Sequence, residues 1–105
     1  MDAQIKKGLL DACVLAVLKR EDSYGYKLIK DISGVVEISE STLYPVLRRL
    51  ETANCLMTYT AEYGGRLRKY YRILPGGVNR LEDFKTEWID VKKVIDYILG
   101  EESLP

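Results

Sequence analysis

The run SESTLYPVLRRLETANCLMTYTAEYGGRLRKYYRIL, residues 39–74, changes its period in the middle. In its first third Leu43, Val46, Leu47 and Leu50 recur at the three- and four-residue steps of a helix. Ser39 is placed to cap that helix and Glu40 sits favourably against its dipole. Pro45 removes one backbone donor inside it, and Asn54 tolerates the left-handed conformation that closes a helix. From Leu56 to Tyr63, and again from Arg66 to Leu74, the chain turns to Thr, Tyr, Leu and Ile, with Gly64-Gly65 between. Two such runs around a two-residue glycine turn predict a β-hairpin.

Upstream, Ile5, Leu9, Leu10, Cys13, Val14, Val17 and Leu18 recur at helical spacing and predict a first helix ending near Lys19 and Arg20. Ser23 is the expected cap of a second helix, in which Tyr24, Leu28 and Ile32 align beside Ile29, and Gly34 is its expected stop. Downstream, Pro75-Gly76-Gly77 is read as a break, after which Val78 to Leu99 forms one long helix stopped by Gly100. Three helices, a two-stranded wing and a long helix give a mainly α fold with a β-hairpin wing. That is a winged helix-turn-helix, whose third helix enters the major groove, with a long C-terminal helix for dimerisation. The expected division is 1–74 for DNA binding and 75–105 for dimerisation, in one structural unit.

The 105 residues suffice for one compact domain, so contact, assembly and any sensing must share it. With 47% hydrophobic and 30% charged residues, the composition is that of a globular chain. No apolar stretch approaches the ~20 residues of a membrane span, and Met1 to Lys7 lacks a signal-peptide pattern, so the expected location is the cytoplasm. Cys13 and Cys55 fit no ligand spacing and histidine is absent. Both thiols are therefore expected to be reduced small hydrophobes, and neither metal nor cofactor is expected. The same lack of histidine removes an ordinary triad, and no phosphate-binding glycine loop is present, so the chain reads as a non-enzyme.

Net charge is zero, yet its distribution is uneven. Between Ser41 and Leu74, Arg48, Arg49, Arg66, Arg68, Lys69 and Arg72 face only Glu51 and Glu62, whereas the chain after Pro75 is acidic on balance. Such a division presents one face to phosphates and holds the other away. On the third helix Ser41, Thr42 and Tyr44 can bond phosphates or base edges, and Arg48 or Arg49 can pair with a guanine or a phosphate. Arg66, Arg68 and Lys69 just after the turn form a projecting cationic cluster suited to the sugar-phosphate backbone. In the last helix Leu81, Phe84, Trp88, Val91, Ile95 and Ile98 step by three and four, the spacing of a coiled-coil seam, and predict a homodimer. Two Trp88 indoles near the two-fold axis would flank a flat cavity for a small aromatic ligand, with Phe84, Val91, Leu9, Leu10 and Val14 as walls. The other reading is that Trp88 fills the dimer core.

Four stretches together resemble the PadR family of bacterial transcription regulators. They are Tyr24-Gly25-Tyr26-Lys27-Leu28; Ser41-Thr42-Leu43-Tyr44-Pro45 with Leu47-Arg48-Arg49-Leu50-Glu51; Gly65 through Arg72; and Gly77 at the opening of the last helix. The single helical tail is similar to the family's small subgroup. The resemblance implies a homodimeric repressor of a neighbouring transporter or detoxification operon, released from DNA by a ligand in some members. With Tyr24, Lys27 and Ser39 added, the candidate DNA-contacting set is Tyr24, Lys27, Ser39, Ser41, Thr42, Tyr44, Arg48, Arg49, Arg66, Arg68 and Lys69. Three positions depart from the pattern: Leu74 stands for a capping threonine, Leu67 for a proline in the wing, and Asn54 for a glycine. The alternative function is a winged-helix protein-interaction module without DNA binding.

Overall fold

The computed structural model describes residues 1–101; the last four residues of the 75–105 region lie outside them. Helix α1 (Ala3–Arg20), α2 (Gly25–Ile32) and α3 (Glu40–Thr52) are followed by strands β1 (Leu56–Tyr63) and β2 (Arg66–Ile73), then α4 (Pro75–Leu99). The fold is mainly helical with a two-stranded antiparallel hairpin and a long C-terminal helix, as the sequence pattern predicts.

Asp2 opens α1 by accepting hydrogen bonds from the Gln4 and Ile5 backbone amides at 2.9 and 3.2 Å, which satisfies two of the orphan donors of a helix start. The core is built from the inner faces of the helices: Leu10, Val14, Leu15 and Leu18 of α1, Leu28 and Ile32 of α2, Leu43, Val46, Leu47 and Leu50 of α3. Leu56, Tyr71 and Leu81 close it from the hairpin and α4. Each fully buried leucine stabilises the fold by roughly 1.5–3 kcal/mol relative to an exposed one, and α1 carries four of these core residues against α2, α3 and α4.

Two expected boundaries move. The second helix begins at Gly25 with Tyr24 as its extended cap residue, not Ser23. Ser23 is instead wholly buried and paired with the hairpin: its amide donates to the Tyr71 carbonyl (3.2 Å) and the Tyr71 amide donates to its carbonyl (2.8 Å). A ladder bond to β2 outcompetes a cap that would need the same backbone. The last helix starts at Pro75 rather than Val78, with proline at its first position where its missing donor costs nothing. The two glycines lie within the first turn, where α4 presses on the turn between α3 and β1. A Cβ at Gly76 would stand 2.8 Å from the Asn54 carbonyl oxygen, and one at Gly77 would meet the Cys55 carbonyl and the Ile73 side chain.

Asn54 has φ 59°, the left-handed closure expected of it, and the Leu74 amide donates to the Cys55 carbonyl at 2.9 Å. Leu74 occupies the cap position of α4 without a side-chain hydrogen bond. At about 1.5 Å per residue the 25 residues of α4 span roughly 37 Å. From Ile89 to Gly100 every residue but Val91 and Asp96 is exposed, so the second half of the helix stands off the body.

Candidate nucleic-acid interface

The outer face of α3 follows from burial of the inner one. With Leu43, Val46, Leu47 and Leu50 inward, helical geometry turns Ser41, Pro45, Arg48 and Thr52 outward, and all four are exposed. Arg48 has no ion-pair partner among the described residues. At the helix start the Ser39 hydroxyl lies 3.0 Å from that of Ser41 and 3.3 Å from that of Thr42, and no side chain caps the backbone. Tyr44 is exposed in part, but its phenol end lies against Gly25, where a Cβ would collide with the ring. The absence of a side chain at position 25 is what lets α2 and α3 meet there.

Arg49 does not join this face. It is half-buried and directed at α1, where its guanidinium meets Asp11 Oδ1 at 2.5 Å, while Arg80 of α4 reaches the other carboxylate oxygen at 3.4 Å. Asp11 is buried, so this triad ties α1, α3 and α4 together. The periodicity of α3 sets Arg48 opposite the buried stripe and Arg49 at its flank, but it does not say what Arg49 meets there. An acid within the apolar run of α1 was the available signal that one arginine would be taken up internally.

The hairpin register pairs Tyr63 with Arg66, Ala61 with Arg68 and Thr60 with Lys69 around Gly64 and Gly65, both at positive φ. Because strand side chains alternate, Arg66 and Arg68 share one face with Tyr70 and Arg72, while Lys69 lies on the other with Tyr71. The expected three-cation cluster is therefore divided. Lys69 and Arg66 are exposed, whereas Arg68 is half-buried, its guanidinium 3.8 Å from the Tyr24 ring centroid and 4.0 Å from that of Tyr63.

Behind Arg68 the aromatic array continues: Tyr24 meets Tyr70 edge-on at 5.7 Å, and Tyr70 stacks on Tyr59 at 5.4 Å. The Tyr59 hydroxyl donates to Asp22 at 2.6 Å and the Arg72 guanidinium pairs with the same carboxylate at 3.0 Å. The hydrogen bond from Tyr59, with Arg72 beside it, holds the Asp22 carboxyl below its ordinary range against a smaller effect of burial. Burial raises the Tyr71 phenol, which also lies within electrostatic reach of Tyr44, Glu51 and Arg48. Lys27 is tied to Asp31 at 3.1 Å and Glu21 at 3.2 Å, and both raise its pKa. Asp11, Asp22 and Tyr59 are not legible in the sequence because their roles lie in contacts between distant segments, and Arg72, expected as part of the basic face, is instead paired with Asp22.

On α4, Phe84 and Trp88 stack at 5.4 Å and are half-buried with Val91, while Ile95 and Ile98 are exposed. Leu81 departs from the expected seam: it is 3% exposed and belongs to the protomer's own core. Leu10 and Val14, expected as walls of a ligand cavity, are likewise in that core and present no surface. A shallow groove of about 230 Å³ between α1 and α4 is lined instead by Gly8, Ala12, Leu15 and Phe84 with charged neighbours. Both thiols are free, Cys55 buried and Cys13 half-buried, and burial raises the Cys13 pKa. Among the described residues no cluster suited to a metal occurs, and no helix is long and apolar enough to cross a membrane.

Residues 14–83 match the family model described as transcriptional regulator PadR-like family. Among solved structures, the chain is similar to a protein from Streptococcus mutans, with 37% identity, 94% of each chain covered and a TM-score of 0.83. A PadR-like transcriptional regulator from Bacillus cereus shares 32% identity over 95% of this chain and 100% of its own, with a TM-score of 0.84. A PadR family transcription regulator from Clostridium difficile shares 34% over 87% and 98%, with a TM-score of 0.80. The Bacillus cereus and Clostridium difficile proteins are transcription regulators by description. The protein belongs to the PadR-like family of transcriptional regulators.

Proposed function

We propose that the protein is a cytoplasmic repressor that binds an inverted-repeat operator in duplex DNA as a homodimer, reading bases with α3 and phosphates with the wing. The observation that carries this reading is the outer face of α3. Ser41 and Arg48 stand exposed there while Arg49 is taken up by Asp11, so Arg48 is the arginine left to meet a guanine edge. The uncapped start of α3, with the Ser39, Ser41 and Thr42 hydroxyls gathered at it, offers donors to a backbone phosphate. Arg66 and Lys69 at the wing supply salt-sensitive contacts.

Dimerisation is supported by apolar surface that one chain leaves uncovered. Ile95 and Ile98 continue the stripe begun by Phe84, Trp88 and Val91. Ile89, Val94 and Leu99 are exposed beside it, and Ile5 of α1 is 51% exposed. A helix extending beyond its domain with such a seam is covered most simply by its two-fold mate. The first face of Trp88 is already taken by Phe84, and two expected cavity walls are core residues, so Trp88 is read as part of the seam rather than as a ligand sensor.

Selection of fragments from genomic DNA is the test. An inverted repeat with half-sites about one helical turn, roughly 34 Å, apart is the expected result. Recovery of no sequence preference, with capture of a protein partner instead, would replace DNA binding by the interaction-module reading.

A further inference from the structure

Three consecutive residues, Asp22, Ser23 and Tyr24, hold three different parts of the wing. Asp22 takes the Tyr59 hydroxyl and the Arg72 guanidinium, Ser23 exchanges both backbone hydrogen bonds with Tyr71, and Tyr24 covers Arg68 and meets Tyr70. The hairpin is therefore fastened to the segment between α1 and α2 and is not a free flap. Arg68 lies at the outer end of this fastening. Both faces of its guanidinium are covered, by Tyr24 from the body and by Tyr63 from the strand opposite, at 3.8 and 4.0 Å. Strand alternation places it on the hairpin face opposite Lys69 and Tyr71, and Tyr71 is the residue within electrostatic reach of α3. Lys69 and Arg66 remain exposed to meet phosphates, whereas Arg68 bridges two rings.

We propose that Arg68 is a positioning residue: stacked between Tyr24 and Tyr63, and backed by the Asp22 clamp on Tyr59 and Arg72, it fixes the pitch of the wing relative to α3 instead of neutralising a phosphate. This deepens the DNA-binding reading above and rests on it. A planar guanidinium stacks on two rings at once and an ammonium does not, so lysine is the informative replacement. It keeps the charge and loses the planar sandwich.

The experiment compares Arg68→Lys, Arg68→Ala, Asp22→Asn and Arg66→Ala with the wild-type dimer on mixed-sequence duplex DNA across a salt titration. In parallel, hydrogen exchange is read on the DNA-free proteins. If Arg68 positions the wing, Lys and Ala at position 68 both weaken binding by about three- to tenfold, the scale of one or two exposed cation–π contacts, with the salt slope of the wild type. Asp22→Asn does the same, while Arg66→Ala lowers the slope by about 0.9. In the free protein the β1 and β2 amides of Arg68→Lys and Asp22→Asn exchange faster while those of α1 stay as in the wild type. The proposal is overturned if Arg68→Lys binds like the wild type while Arg68→Ala loses about 0.9 in slope, since Arg68 would then be a phosphate contact. Unchanged wing exchange in Arg68→Lys overturns it as well. A wild type that binds no duplex at all refutes the DNA-binding reading, and the exchange data still decide whether Arg68 fastens the wing.

Discussion

Replacing Asp11 by alanine removes the one buried carboxylate that joins three helices. Asp11 is 8% exposed, while the side chains of its partners Arg49 and Arg80 are 35% and 45% exposed. That asymmetry sets the magnitude. Deleting one member of a fully buried pair costs about 3–5 kcal/mol because a charge is stranded, but here both stranded guanidinium groups can turn to water. What is lost is one close charge-assisted hydrogen bond to Arg49, about 1.5–3 kcal/mol, and a longer contact to Arg80 at 3.4 Å, about 0–1 kcal/mol for an exposed pair. The expected destabilisation is about 2–3 kcal/mol, which for a chain of this size lowers the melting midpoint by roughly 10 °C or more.

Because the proposed dimer makes stability depend on concentration, urea unfolding is measured at one fixed protein concentration. It is done for Asp11→Ala, Arg49→Ala and the double variant. The double-mutant cycle should return a coupling of about 1.5 kcal/mol or more. Arg49→Ala should lower stability without altering the operator sequence preference. A single-variant loss under about 0.5 kcal/mol, or a coupling indistinguishable from zero, refutes the assignment of Arg49 to the fold and returns it to the DNA-facing set.

Arg48→Ala, by contrast, should leave unfolding nearly unchanged and cost about 1–3 kcal/mol at a cognate site in a binding titration, with relaxed preference at one base pair. Aspartates at Val91 and Ile95 together should convert the dimer to monomer in sedimentation and abolish operator binding, because the charges would enter an apolar seam without partners. Gly77→Ala should destabilise by about 1–3 kcal/mol in thermal unfolding, since its Cβ must displace the Cys55 carbonyl or the Ile73 side chain. For pH, Asp22 has a lowered pKa in the folded state. Its contribution is therefore complete above the unfolded carboxylate value of about 3.9 and is lost as pH falls through the lower folded value. The stability gap between wild type and Asp22→Asn should persist from neutral pH to about 4 and close below it; a gap that widens in acid would contradict the clamp.

The order of elements was legible because each rests on local periodicity. The stripe Leu43, Val46, Leu47, Leu50 defines its helix without knowledge of what covers it, and Gly64-Gly65 between two β-rich runs defines the hairpin. The places where the reading failed are those where one segment competes for another's groups. Ser23 has the right side chain to cap a helix, yet its backbone is taken by Tyr71, forty-eight positions away. Gly76 and Gly77 look like a break, yet they open α4 because only a bare Cα fits against the carbonyls of Asn54 and Cys55. The wing shows the same limit in another form. Three cations close in sequence suggest one cluster, although the two-residue period of a strand places Lys69 opposite Arg66 and Arg68. Which of the two same-face arginines is free depends on Tyr24, which arrives from the start of α2. The candidate interface therefore divides by the origin of its information: α3 exposes Ser41 and Arg48 through its own periodicity, whereas the roles of Arg49 and Arg68 are assigned by Asp11 and Tyr24, residues outside the recognition helix and wing. Substitutions at those two outside positions are thus expected to change DNA binding without touching DNA, through the helix and the wing they hold in place.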